Sequence, residues 1–194
     1  LRKNPMKPRI VALLALCAGP VFADSLSLDL NNDALRVNYA HDFSRNYTSD
    51  FAWIHVKDLG KSNDSGNTFT GGINLRQKIN NDVSATIGGK VVFQQHDKYP
   101  DGTAMAVGVG VRFTPPANRS VGISGSLYYA PNVLSFGDMN NYRELELRGE
   151  YAFSDQLTGY VGYRNNRADY DYNGGSVNSV KLYDGVMVGG EFHF

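Results

Sequence analysis

The sequence predicts an all-β protein, a transmembrane antiparallel up-and-down barrel of ten strands, and three observations lead there. Apolar and polar residues alternate with a period of two from Leu26 onward, and helical spacing is nowhere sustained. Turn residues recur at roughly every ten to fifteen positions, the spacing of a hairpin chain. In the last stretch, residues 184–194, Val186, Val188, Gly190, Phe192 and Phe194 share one face, and Met187, Gly189, Glu191 and His193 share the other.

Residues 1–23 read as a signal peptide, removed before folding. Lys7 and Arg9 give a positive start, residues 10–18 form a short apolar run, and Gly19-Pro20 breaks it ahead of Val21-Phe22-Ala23. That run is too short to cross a bilayer as a helix. Cys17 lies inside it behind Leu16, so it makes a poor lipid-attachment site. Residues 24–194 form a single domain. Four of the nineteen basic residues leave with the leader, so fifteen remain against nineteen acidic ones, and the mature chain carries a net charge of −4. That balance argues against a nucleic-acid partner. The mature chain has no cysteine, which excludes disulfides and thiolate metal sites.

In chain order, segment one puts Leu26, Leu28 and Leu30 on one face, and Asn31-Asn32-Asp33 turns the chain. Apolar parity then switches to Leu35, Val37 and Tyr39, as a hairpin requires. In segment three, residues 51–58, Ala52, Ile54 and Val56 oppose Trp53, His55 and Lys57, and Trp53 fits either face. Segment four carries Phe69, Ile73 and Leu75 up to the turn 80–82, and segment five carries Val83, Ile87, Val91 and Phe93. Segment six alternates Met105, Val107, Val109, Val111 and Phe113 with small residues until Pro115-Pro116 stops it. Segment seven carries Val121, Ile123, Leu127 and Tyr129 and leads into a loop over 130–141. Segment eight sets Leu145, Leu147, Tyr151 and Phe153 against Glu144, Glu146, Arg148 and Glu150. Segment nine carries Leu157, Val161 and Tyr163, the longest loop is expected over 166–183, and residues 184–194 are segment ten.

An even count returns both ends of an exported chain to the periplasm, which favours ten strands; eight is the alternative. The apolar faces are expected to meet lipid rather than a soluble core. The opposite faces interleave Gly72, Gly88, Gly108, Gly110, Gly122, Gly162 and Gly189 with long charged side chains, which suits a crowded lumen. Aromatic residues near segment ends suit interfacial girdles.

The inward charges are the candidate site. Arg36, Arg76, Lys90, Arg112, Arg148 and Arg164 balance Asp29, Asp42, Glu144, Glu146, Glu150 and Glu191 across a narrow lumen, where an unpaired charge is costly. They are expected to form a salt-bridged plug, the competing reading being a narrow hydrophilic pore. His96 with Asp97 is the candidate catalytic pair, and it lacks a visible nucleophile. His41, His55 and His193 show no metal spacing. Asp169, Asp171, Asn173 and Gly174 begin like a calcium loop, but Val180 stands where a bidentate Glu is needed, so no metal and no cofactor are expected.

The stretch from Ser126 to Asp138, then Tyr142, Glu144 and Arg148, then Tyr160-Val-Gly-Tyr-Arg164 and the closing residues 184–194 resemble the YfaZ family of outer-membrane proteins. Gly88-Gly89-Lys90, Tyr99-Pro100-Asp101-Gly102 and residues 106–113 fit as well. The resemblance implies an outer-membrane barrel and supplies no catalytic residues. Phe192 and Phe194 resemble the terminal signal read by the outer-membrane assembly machinery. The expected protein is a small non-enzymatic monomer in contact with outer-membrane lipid and lipopolysaccharide. A passive channel for small hydrophilic solutes and an enzyme acting at the external loops are the alternatives.

Overall fold

The computed structural model describes residues 24–57, 65–96, 101–172 and 176–194, so the leader lies outside it. Among the described residues there are eleven strands: β1 Asp24–Leu30, β2 Ala34–Asp42, β3 Tyr47–Val56, β4 Gly66–Lys78, β5 Val83–His96, β6 Gly102–Phe113, β7 Val121–Ala130, β8 Ser135–Gly137, β9 Met139–Ala152, β10 Leu157–Tyr172 and β11 Ser176–His193. Ten of them close a ring. Each pairs antiparallel with its neighbours, β7 passes directly to β9, and β1 pairs β11 to complete the circle. Closure pairs the first and last strands with each other, and unpaired edge groups would not survive in lipid. Asp24 N–H donates to the Phe194 carbonyl at 3.0 Å and Phe194 N–H to the Asp24 carbonyl at 2.9 Å, so both ends are held in the ladder. Among the described residues no helix is long and apolar enough to cross a membrane; the strands do so.

The faces are inverted relative to a soluble protein. Val186 is 69% exposed, Val188 63% and Ile87 60%, whereas Asp29 and Arg164 are fully buried. A continuous exposed apolar band of this kind is a lipid-facing surface. Trp53, which fits either face on sequence, points outward, and Ala52, Ile54 and Val56 point inward and are buried.

The tight turns reuse one device. Asn31 Oδ1 accepts from the Asp33 and Ala34 amides, Asn80 Oδ1 from Asp82 and Val83, and Ser154 Oγ from Gln156 and Leu157. Turns at 43–46, 79–82, 114–120 and 153–156 lie at the end that carries both termini, here the terminal end; the other is the distal end.

Three expectations change. The loop expected over 166–183 is mostly strand: β10 and β11 continue to Tyr172 and from Ser176, with a bulge at Asn166/Arg167. A strand needs about 9–11 residues to span a bilayer, so at sixteen and eighteen residues this hairpin rises well beyond it. Its outward face is polar because it stands in water, which made it loop-like in sequence. The loop expected over 130–141 is shorter. A 3-10 turn at Asn132–Leu134 leads into β8, which pairs Gly102, Thr103 and Ala104 of β6 beyond the last β6–β7 pair. Gly137 then turns the chain into β9 at φ +76, a conformation that favours glycine. Asp169 and Asp171 sit on paired strand opposite Ser179 and Val177, so they do not form a loop that wraps a cation; Asn173 and Gly174 lie outside the described residues.

Candidate functional site: the barrel lumen

Period-two alternation sends the even positions of β9 and β10 inward, and their sequences supply both polar and aromatic groups there. The lumen has three layers along its length.

The distal layer is mostly apolar. Ile54 and Val56 of β3, Val92 of β5, Tyr142 of β9, Tyr170 of β10 and Leu182 of β11 belong to one buried apolar cluster, with alanines at positions 34, 104, 106, 130 and 168 filling the space between. The rising β10–β11 hairpin contributes Val180, Leu182 and Tyr183 to it, and both Leu182 and Tyr183 are buried because the bulge resets the parity there. At the rim Tyr170 Oη donates to Gln94, and the His96 ring meets Tyr170 edge-on with Nε2 3.2 Å from its hydroxyl. Burial, with Asp101 adding to it, pushes the Tyr170 phenol above its ordinary value, so it remains a neutral donor.

Beneath lies a layer of ion pairs centred on Arg164. Its Nη1 donates to Asp29 at 2.8 Å, and its Nε and Nη2 donate to Glu146 at 2.8 and 2.6 Å. The planar guanidinium fork suits two carboxylates on opposite sides. Asp29 also meets Arg36 at 3.3 Å and accepts from the hydroxyls of Tyr160 at 3.2 Å and Tyr183 at 3.3 Å. Glu146 pairs with Arg148, whose guanidinium lies 4.4 Å over the Tyr160 ring. Lys90 reaches Glu144 at 3.1 Å and stacks 3.8 Å over Tyr128, while Tyr142 donates to Glu144 at 2.6 Å. Glycines make room for these rings: a Cβ on Gly108 would collide with Tyr128, and one on Gly189 with Tyr160.

The terminal layer is an open vestibule. A cavity of about 270 Å³ is lined by Arg36, Arg76, Arg112, Asp50, Glu150 and Glu191 among others. Arg112 pairs with Glu150 at 2.7 Å, and Ser124 donates to Glu150 at 2.9 Å.

Of the twelve charges singled out from sequence, nine therefore join ion pairs: Asp29, Arg36, Lys90, Arg112, Glu144, Glu146, Arg148, Glu150 and Arg164. Asp42 instead accepts from Thr48, and Arg76 and Glu191 line the vestibule without an ion pair among the described residues. Sequence reasoning missed Asp50, which accepts from Asn74 at 2.6 Å, and the tyrosines at 142 and 183. Asp50 fell just before the expected start of segment three and Tyr183 in an expected loop; alternation continued through both and was the available signal.

Among the described residues no three His, Cys, Asp or Glu are grouped to hold a metal. Asp97, the expected partner of His96, lies outside the described residues. Phe192 and Phe194 face outward at the terminal end, their rings stacked at 6.0 Å.

Comparison with known proteins follows the same lines. The family model described as YfaZ precursor matches residues 6–194. No curated protein matches the sequence significantly. Among solved structures, the outer membrane protease OmpT from Escherichia coli is similar at TM-score 0.59 and 10% identity, covering 89% of this chain and 93% of that one. The NanC porin aligns at TM-score 0.46 and 9% identity over 89% of this chain and 99% of that one. At such identities the first likeness speaks for the barrel fold alone.

Proposed function

This chain belongs to the YfaZ family, and from that premise and the layered lumen we propose that it is a non-enzymatic, non-conducting barrel. Its place is the bacterial outer membrane, where the fold belongs. Short turns mark the periplasmic side of such barrels and longer connections the outside, so the vestibule opens to the periplasm and the apolar layer faces out.

The observation that carries the reading is the series arrangement of the two inner layers. A solute entering from the vestibule meets the buried Arg164 layer and then an apolar layer of alanines, valines, tyrosine and leucine. Hydrophobic constrictions exclude water and ions, and small barrels fill their interiors with side chains. The barrel then serves envelope structure or presents its outer hairpin to the surface, and it acts as a monomer. Inserted in a planar bilayer, the purified protein should give no stable open steps; recurrent steps would favour the narrow-channel reading. The non-enzymatic part is supported by the engagement of His96 with Tyr170. Lipid, ester and peptide substrates should all survive incubation with the protein, and hydrolysis that disappears on His96→Ala would overturn it.

A further inference from the structure

The outer wall carries a second charge pattern that the lumen does not use. On β9, β10 and β11 the exposed apolar run toward the distal end stops at Leu145, Tyr163 and Val186. Just beyond them the register sets Arg143 directly opposite Arg167, and Arg167 directly opposite Lys181. Arg143 and Lys181 are exposed, and all three side chains stand on the outward parity of their strands.

Like charges directly opposite one another across strands are unfavourable, so three in a row ask for an anion. Asp184 supplies part of it, pairing with Lys181 at 2.9 Å and with Arg167 at 3.7 Å while Tyr163 and Asn165 donate to it at 2.7 and 2.8 Å. Asp169 follows one outward position farther from the bilayer on β10. Arg143 has no ion pair among the described residues. On the opposite wall, His55, Asn67 and Gln95 stand in direct register, a row with no arginine or lysine. There Asn67 accepts from Trp53 at 3.0 Å and meets His55 at 3.1 Å, so that row is satisfied within the protein. The cationic row thus differs from the row on the opposite wall.

We propose that Arg143, Arg167 and Lys181 form a binding site for the headgroup phosphate of an outer-leaflet glycolipid, whose acyl chains lie against the apolar band below. Guanidinium forks match phosphate oxygens in pairs, and a basic cluster at the height of the headgroups is where such a lipid presents its charge. The site is independent of whether the lumen conducts.

The test uses the full barrel in nanodiscs that contain diphosphorylated lipid A, with lipid retention read by native mass spectrometry. With about 1 kcal/mol per basic residue near the surface, the double variant R143Q/R167Q should bind lipid A about 30-fold more weakly than wild type, from 1.4 kcal/mol per decade. Lys181→Gln alone should give a smaller loss, and Gln95→Ala on the opposite wall should match wild type. Heat-dependent gel mobility verifies that each variant is folded. Unchanged retention by the folded double variant overturns the site, as does equal retention of lipid A stripped of its phosphates. Displacement by millimolar inorganic phosphate alone would assign the row to free phosphate and overturn the lipid assignment.

Discussion

The distal and terminal halves of the lumen are walled by the same strands with the same alternation, yet they hold opposite chemistry. The distal half is packed with Ile54, Val56, Val92, Leu182 and five alanines. The terminal half holds paired charges above an open vestibule. Tyrosines join the two: Tyr142 and Tyr183 are buried in the apolar cluster while their hydroxyls donate to Glu144 and Asp29. An aromatic residue with a polar tip can face both environments at once. The lesson is that a barrel interior need not be uniformly polar: toward the distal mouth the inside becomes a mostly apolar core.

The comparison breaks first at Arg164. Substitution by Met leaves Asp29 and Glu146 buried without their shared cation, which should cost about 3–5 kcal/mol, read as a lowered urea midpoint in lipid vesicles. A loss below about 1 kcal/mol would mean that the charged half is hydrated and not held as a closed layer. In the apolar half, Leu182→Ala removes a fully packed side chain near the mouth. The expected loss is about 2–3 kcal/mol, at the lower end because the site can partly collapse, and it is measured by the same unfolding curve. Gly189→Ala sharpens the contrast between inside and outside. The added methyl would strike the Tyr160 ring and should cost about 1–3 kcal/mol. Gly149→Ala on the lipid face, where the nearest atom to a new Cβ is 3.9 Å away, should stay within about 0.5 kcal/mol of wild type.

Much of this organisation is legible in the chain. The turn pair at 31–33 and 80–82, the ten-strand ring and the inward side of Asp29, Glu144, Glu146, Arg148 and Arg164 all follow from turn chemistry and parity. Less legible was the distal core. Inward Ala168 and Tyr170 alternate with Arg167, Asp169 and Asp171, a pattern that reads as loop because both of its faces lack the usual aliphatic run. The bulge at Asn166/Arg167 adds a parity change that no periodic count foresees, and it turns Leu182 inward beside Tyr183.

What the sequence by itself determined is which side of each strand a residue occupies, because side chains alternate with a strict period of two. Height along the barrel was decided only by the tertiary structure. Strand tilt and stagger set which residues of different strands share a level, so only the closed ring could bring Arg164 between Asp29 and Glu146, residues from β1 and β9, and set Arg143, Arg167 and Lys181 in one row.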